Sequence, residues 1–173
     1  MKILAIETSA DDTCAAVVEN TTILSSVKHT QLEHSEWGGI VPSLAKRDHE
    51  AHIDMVIKKA LTNASCLMPN VDAIAVTTGP GLAIALEVGI SKAKELAIKF
   101  NKPLIAVNHI EGHVTAILIN SHEVEFPYLG LIVSGGHTSL YVVNGIGSYR
   151  HLGSTRDDAA GEALDKAGKL LGL

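Results

Sequence analysis

The chain has 173 residues, 46% hydrophobic and 19% charged, a composition that suits a globular protein with a buried core and excludes disorder. Fourteen basic against 19 acidic residues leave a formal net charge of −5, and aromatic residues are only 3%, so neither bulk electrostatics nor a base-stacking platform would hold a nucleic acid unaided. Two cysteines, Cys14 and Cys66, argue against a disulfide scaffold; with no signal-peptide pattern after Met1-Lys2 and no apolar run near the ~18 residues of a membrane helix, a cytoplasmic protein off the membrane is expected.

Three strands are predicted first, at about 2–7, 14–19 and 22–28, separated by turn residues at Asp11-Asp12 and Asn20. A loop carrying Trp37, Gly38 and Gly39 follows. From Pro42 to Ala64 the apolar period is helical, with Leu44, Ile53, Val56, Ile57, Ala60 and Leu61 forming the stripe. A buried strand from Ala73 to Thr77 runs into Gly79-Pro80-Gly81-Leu82 and a helix to about Phe100; a short strand from Leu104 to Val107 then delivers a third helix near Asn108. The order βββ, α, β, α, β, α predicts a mixed sheet covered by helices.

A second unit is expected after Ser121. Strands at Tyr128–Val133, Ser139–Val143 and about 147–152 precede a helix from about Asp157 to Leu171. Its opening repeats that of the first unit: Ile6-Glu7-Thr8-Ser9-Ala10-Asp11-Asp12-Thr13 aligns with Leu131-Ile132-Val133-Ser134-Gly135-Gly136-His137-Thr138. Such duplicated β-turns resemble the plan of actin-like and sugar-kinase-like nucleotide-binding proteins. The expected fold class is therefore α/β, a duplicated ribonuclease-H-like (ASKHA) fold: a complete first lobe at 1–121 and the start of a second, lacking its later elements, at 122–173.

Three groups of residues carry possible chemistry. Ser134-Gly135-Gly136-His137-Thr138 lies between two strands, where glycines permit positive φ and backbone N–H groups, with the two hydroxyls, form an anion nest; a plain β-turn is the bland alternative. Asp11 and Asp12 opposite such a loop suit a hydrated divalent cation, or merely a solvated turn. His109 and His113 stand one helical turn apart, about 40° around the axis, so both imidazoles reach one point and suit Zn²⁺ or Fe²⁺. Asn108 is a candidate N-cap for that helix. Glu111 lies about 200° from His109, which argues against a zinc protease of the His-Glu-x-x-His type, where the glutamate adjoins the first histidine. Gly79-Pro80-Gly81-Leu82 either offers helix N–H groups to an anion or makes a tight turn for close packing. His29, His34, His49, His52, His122 and His151 are expected to be surface or capping residues, and Asp165 is an ordinary solvated helix acid by composition.

Taken together these segments resemble the TsaD family, the tRNA threonylcarbamoyladenosine transferases once labelled O-sialoglycoprotein endopeptidases. The resemblance rests on Ile6 to Ser9, Asp11 to Thr13, Gly38 to Pro42, Arg47-Asp48-His49, Gly79 to Leu82, His109 to His113, Ser134 to Thr138 and Asp157 to Gly172. It implies transfer of a threonylcarbamoyl group from threonylcarbamoyl-AMP to N6 of the adenosine beside the tRNA anticodon. It further implies that His109 and His113 hold one divalent metal, iron or zinc. Ile132, Val133, Ser134, Gly135 and Gly136 would bind the adenylate, or ATP with magnesium, with Asp165 at the ribose, and Asp11 and Asp12 would match the family's acidic pair. A TsaB-like paralogue pairing through the first lobe, further accessory subunits and tRNA are the implied partners. Ala10 and Ile84 depart from the family pattern, at positions where it has cysteine and glycine. The family's third metal ligand, an aspartate, and its later glycine-rich stretch have no counterpart here, so this chain alone is expected to be inactive. A non-catalytic assembly module is the competing reading.

Overall fold

In the computed structural model, residues 1–31, 41–119 and 124–172 are described. The predicted loop at Trp37, Gly38 and Gly39, together with His34 and His122, lies outside them. The chain divides into two compact units, Met1–Gly112 and His113–Leu173.

Unit 1 is a five-stranded sheet in the order β3-β2-β1-β4-β5. β1 (Lys2–Glu7), β2 (Asp12–Glu19) and β3 (Thr22–Thr30) form an antiparallel meander, whereas β4 (Ala73–Gly79) and β5 (Leu104–Asn108) run parallel to β1. Each parallel neighbour needs a crossover helix, supplied by α1 (Pro42–Asn63) and α2 (Ala83–Phe100). Strand alternation sends Leu4, Ile6, Val17, Val27, Ile74 and Val76 into one core with Ile53, Val56, Ile57 and Ala60 of α1 and Val88, Ala93 and Ala97 of α2. Glu7 closes β1 on the opposite alternation and is only partly covered.

The buried stripe of α1 differs from the sequence expectation at its start. Ala45 and His49, rather than Leu44, continue the line of Ile53, Val56, Ile57 and Ala60. His49 was expected at the surface and is instead fully buried. Its ring is satisfied from the β1–β2 connection: Nε2–H donates to the Ala10 carbonyl at 2.9 Å, and Nδ1 lies 2.7 Å from the buried Thr13 hydroxyl. Two polar partners at the two ring nitrogens remove the cost of burial and tie α1 to the turn that carries Asp11.

Unit 2 is a three-stranded antiparallel sheet of β6 (Tyr128–Val133), β7 (Thr138–Gly145) and β8 (Ser148–Ser154), followed by α4 (Ala160–Leu171). The internal repeat is visible as two strand–turn–strand pieces, residues 8–11 joining β1 to β2 and residues 134–137 joining β6 to β7. α4 starts later than the predicted Asp157, because the Thr155 hydroxyl donates to the Asp158 carbonyl and accepts the Asp157 N–H, closing a turn ahead of the helix.

The division between units falls inside α3 (His109–Thr115), ahead of the Ser121 boundary expected from sequence. The second half of α3 packs on unit 2: the Tyr128 hydroxyl donates to the Val114 carbonyl at 2.8 Å, and a Cβ on Gly130 would sit 2.6 Å from Val114 Cγ1. No helix among the described residues is long and apolar enough to cross a membrane.

Candidate active site

The end of β1 is where unit 1 concentrates polar groups. Glu7 accepts from the Ser9 N–H through Oε1 and from the Thr77 hydroxyl through Oε2 at 2.5 Å. Its Oε2 also lies 3.3 Å from His109 Nδ1, with Ser9 Oγ 3.2 Å from the same nitrogen. Burial pushes the Glu7 carboxyl up, but the hydrogen bonds from His109, Ser9 and Thr77 outweigh it and hold the group down at about 2. Glu7 is therefore an anion at neutral pH. An anion beside Nδ1 retains a proton on that nitrogen, which places the imidazole lone pair on Nε2. A carboxylate that fixes the tautomer of a histidine in this way is the usual support of a metal-ligating imidazole.

His109 itself is delivered by the strand-to-helix turn after β5. The Asn108 side-chain carbonyl accepts the Ile110 N–H at 2.9 Å and the Glu111 N–H at 3.2 Å, so Asn108 is the N-cap that the sequence suggested. His113 follows one turn later on α3, its residue exposed. The donor chemistry at His109 fits a borderline divalent ion, an imidazole nitrogen oriented by an ionised carboxylate.

The turn between β1 and β2 is held from two sides. Ser9 accepts the Leu82 N–H at 2.8 Å, and a Cβ on Gly81 would sit 2.6 Å from both Ser9 Cβ and Ser9 O. Only a residue without a side chain allows this approach, so the Gly79-Pro80-Gly81 segment acts as a tight packing turn. Thr8 is buried and donates to the Ala85 carbonyl at 2.9 Å, and Gly89 on the next turn of α2 leaves room for its hydroxyl. In the same turn Asp12 Oδ2 accepts from Lys28 at 3.2 Å, whereas its Oδ1 is buried with no partner among the described residues. Nearby, burial and the carboxylates of Asp12 and Glu7 push the Cys14 thiol up to about 11.

In unit 2 the β6–β7 turn is closed on itself. The Ser134 N–H donates to the His137 carbonyl at 2.8 Å, and the His137 N–H donates to Ser134 Oγ at 3.0 Å. Thr138 Oγ1 accepts the Ala160 N–H at 2.8 Å and so satisfies a donor of the first turn of α4. Both hydroxyls expected to face an anion are thus engaged by the fold. Neither Gly135 nor Gly136 has the positive φ that the sequence permitted. Gly135 instead forms a pair with Gly161: a Cβ at Gly161 would lie 2.8 Å from Gly135 Cα, and the Gly161 N–H donates to the Ser134 carbonyl at 3.1 Å. The glycines serve to seat the amino-terminal end of a twelve-residue helix on the hairpin. Ile132 is buried, Val133 is exposed, and Asp165 is exposed on α4.

The sequence profile of TsaD, described as tRNA N6-adenosine threonylcarbamoyltransferase, matches residues 22–173. The chain belongs to the TsaD family. Among curated relatives it is 55% identical to the tRNA N6-adenosine threonylcarbamoyltransferase of Anaeromyxobacter sp. (strain Fw109-5), over 100% of this chain and 53% of that protein. It is 54% identical to the protein of the same description from Thermodesulfovibrio yellowstonii, over 100% of this chain and 52% of the relative. The chain thus spans about half the length of the curated TsaD relatives it matches. Two solved structures share the fold at low identity. YeaZ from Pseudomonas aeruginosa aligns with a TM-score of 0.56 at 20% identity, over 88% of this chain and 65% of that one. A ROK hexokinase from Thermus thermophilus aligns with a TM-score of 0.54 at 19% identity, over 94% and 51%. The chain accordingly has the actin-like α/β fold expected from its repeat.

Glu7, within the Ile6 to Ser9 stretch, has no role assignable from the sequence alone. The available signal was an acid closing an otherwise apolar strand on the alternation that faces away from the helices.

Proposed function

We propose that this chain serves tRNA modification, the transfer of a threonylcarbamoyl group from threonylcarbamoyl-AMP to N6 of the adenosine beside the anticodon, as one part of a longer catalytic body. The observation that carries the proposal is His109 at the β5–α3 turn with Nδ1 against ionised Glu7. His109 and His113 would hold the divalent iron or zinc ion, which when bound supplies a Lewis acid for the carbamoyl group. Glu7 and Ser9 set the tautomer and tilt of His109. The Gly135 and Gly136 backbone N–H groups of the 134–137 hairpin would receive the adenylate phosphate, with Asp165 at the ribose. Asp11 and Asp12 would stand at the corresponding turn of the first lobe as the family's acidic pair.

The domain assignment follows the same reading, a first ribonuclease-H-like lobe with the histidines and a second lobe opening on the phosphate hairpin. A TsaB-like paralogue would pair through the first lobe, where Leu67, just after α1, is exposed beside Ile57, Leu61 and Cys66. The setting is cytoplasmic, where tRNA is modified.

The test is a threonylcarbamoyl-transfer assay on tRNA with purified chain, with and without the TsaB-like partner, beside metal analysis. The expected result is no turnover by the chain alone, and metal binding that falls on changing His109 or His113 to alanine. Turnover by the isolated chain would refute the incomplete-site reading. Metal binding insensitive to both substitutions would refute the ligand assignment.

A further inference from the structure

Away from the end of β1, unit 1 brings three metal-ligating side chains together from two elements. His29 is the penultimate residue of β3, and Asp48 and His52 stand one turn apart on α1. His29 Nε2 lies 2.9 Å from Asp48 Oδ2, and His52 Nδ1 lies 3.1 Å from Asp48 Oδ1. The two rings stack with centroids 3.8 Å apart and planes at 24°. One ligand atom from each residue lies within 4.8 Å of the other two. The side chains are 28%, 28% and 34% exposed, covered enough to be held and open enough for an ion to enter.

We propose that His29, Asp48 and His52 form a second metal site, taking a single divalent ion of the zinc class and joining the end of β3 to α1. The donor set is two imidazole nitrogens and one carboxylate, which suits Zn²⁺, Co²⁺ or Ni²⁺ and not the harder Mg²⁺ or Ca²⁺. The spacing fits as well. In a tetrahedral site with ligand bonds of about 2.0–2.1 Å, neighbouring donors stand about 3.3 Å apart. Each imidazole contact to Asp48, 2.9 Å to Oδ2 and 3.1 Å to Oδ1, is within a few tenths of that edge, and turning the carboxylate presents a single oxygen to both rings. An ion can take the place of the shared hydrogens once the two stacked rings, now 3.8 Å apart, splay toward it. The cost is the second contact of His52 Nδ1, to the Asp48 carbonyl at 2.9 Å, which is one neutral hydrogen bond. Three protein donors leave a position for water, so the ion is expected to exchange with solvent. Its effect is mechanical: it cross-links residues 29 and 48 across the connection from β3 to α1, and the folded state gains whatever the ion binds with.

The site shares no residue with the α3 histidines, so it stands or falls separately from the reading of His109 and His113. The test uses the untagged chain, stripped of metal by chelator, with His109→Ala and His113→Ala introduced to remove the other imidazole pair. Co²⁺ should bind with one equivalent and visible d–d absorption, Zn²⁺ should displace it, and either ion should raise the melting temperature. His29→Gln or His52→Gln in that background should weaken Co²⁺ binding at least tenfold with unchanged circular dichroism. As a check that avoids the double background, the Zn²⁺-induced rise in melting temperature of the otherwise unaltered chain should shrink on His29→Gln. Co²⁺ affinity and Zn²⁺ stabilisation that both ignore His29 and His52 would overturn the proposal, as would the absence of binding below millimolar Co²⁺.

Discussion

Replacing Glu7 with glutamine separates the charge of this residue from its shape. The carboxyl is held at about 2 in the folded chain against an ordinary value of 4.5, so between those pH values the unfolded chain carries one more proton than the folded one. Stability from this group is complete above about pH 4.5 and is lost as pH falls through 2. The shift corresponds to roughly 3 kcal/mol, of which about 2 kcal/mol would be gone by pH 3. Glu7→Gln keeps an acceptor for one or two of the three donors but turns an amide N–H₂ toward the others, which should cost about 2–4 kcal/mol at pH 7. Urea unfolding followed by circular dichroism from pH 7 to pH 3 measures both curves. The expected result is a gap between parent and variant that is constant at neutral pH and narrows by about 2 kcal/mol on acidification. Other carboxylates titrate equally in both proteins and cancel in the difference. Parallel curves over the whole range would refute the account of Glu7 as a charge-holding support for His109.

Gly89→Ala should destabilise the chain by about 1–2 kcal/mol, since the new Cβ overlaps Thr8 Oγ1; in a Thr8→Ala background the same change should become neutral or favourable by about 1 kcal/mol, a coupling that a double-mutant cycle reads directly. His49→Ala should cost about 3 kcal/mol or more in thermal unfolding, because it leaves a cavity and strips partners from Thr13 and the Ala10 carbonyl, and His49→Gln should recover part of it. Gly161→Ala places a methyl against the backbone of Gly135 and Ser134, which cannot rotate away; amide hydrogen exchange should accelerate in α4 and the β6–β7 turn. Cys14, with its thiol pushed from 9.0 to about 11, should react with iodoacetamide at pH 8 roughly 100-fold more slowly than a free cysteine, as mass spectrometry of the labelled peptide would show.

Element order was readable because each strand and helix is bounded by residues with one dominant preference. Asn20 takes a positive φ between β2 and β3, Pro42 opens α1, and Asn101 closes α2 in the left-handed region. That His109 and His113 stand one turn apart on α3 was readable because helical spacing is local. What escaped were contacts between distant segments. His49 looked like a surface residue because its partners, Ala10 and Thr13, lie far from it in the chain. Its place four residues before Ile53, on the line of the buried stripe, was the available signal. The shared role of Gly135 and Gly161 was not readable because it exists only when α4 lies on the turn. The hydroxyls of Ser134 and Thr138 were assigned outward for the same reason: nothing local shows that the fold has already claimed them.

The close approach of Gly81 to Ser9 and of Gly89 to Thr8 bears on how this protein tolerates sequence change. The loop that positions Glu7 is gripped mainly by backbone seated on backbone and by one threonine seated over a missing methyl. A saturation-mutagenesis scan of stability would therefore show sharp intolerance at these two glycines, which hold no chemistry, and milder losses of stability at charged neighbours such as Asp12. A variant at Gly81 or Gly89 that lost function would be read as a binding defect if only ligand contacts were considered, when the injury is to the seating of the loop.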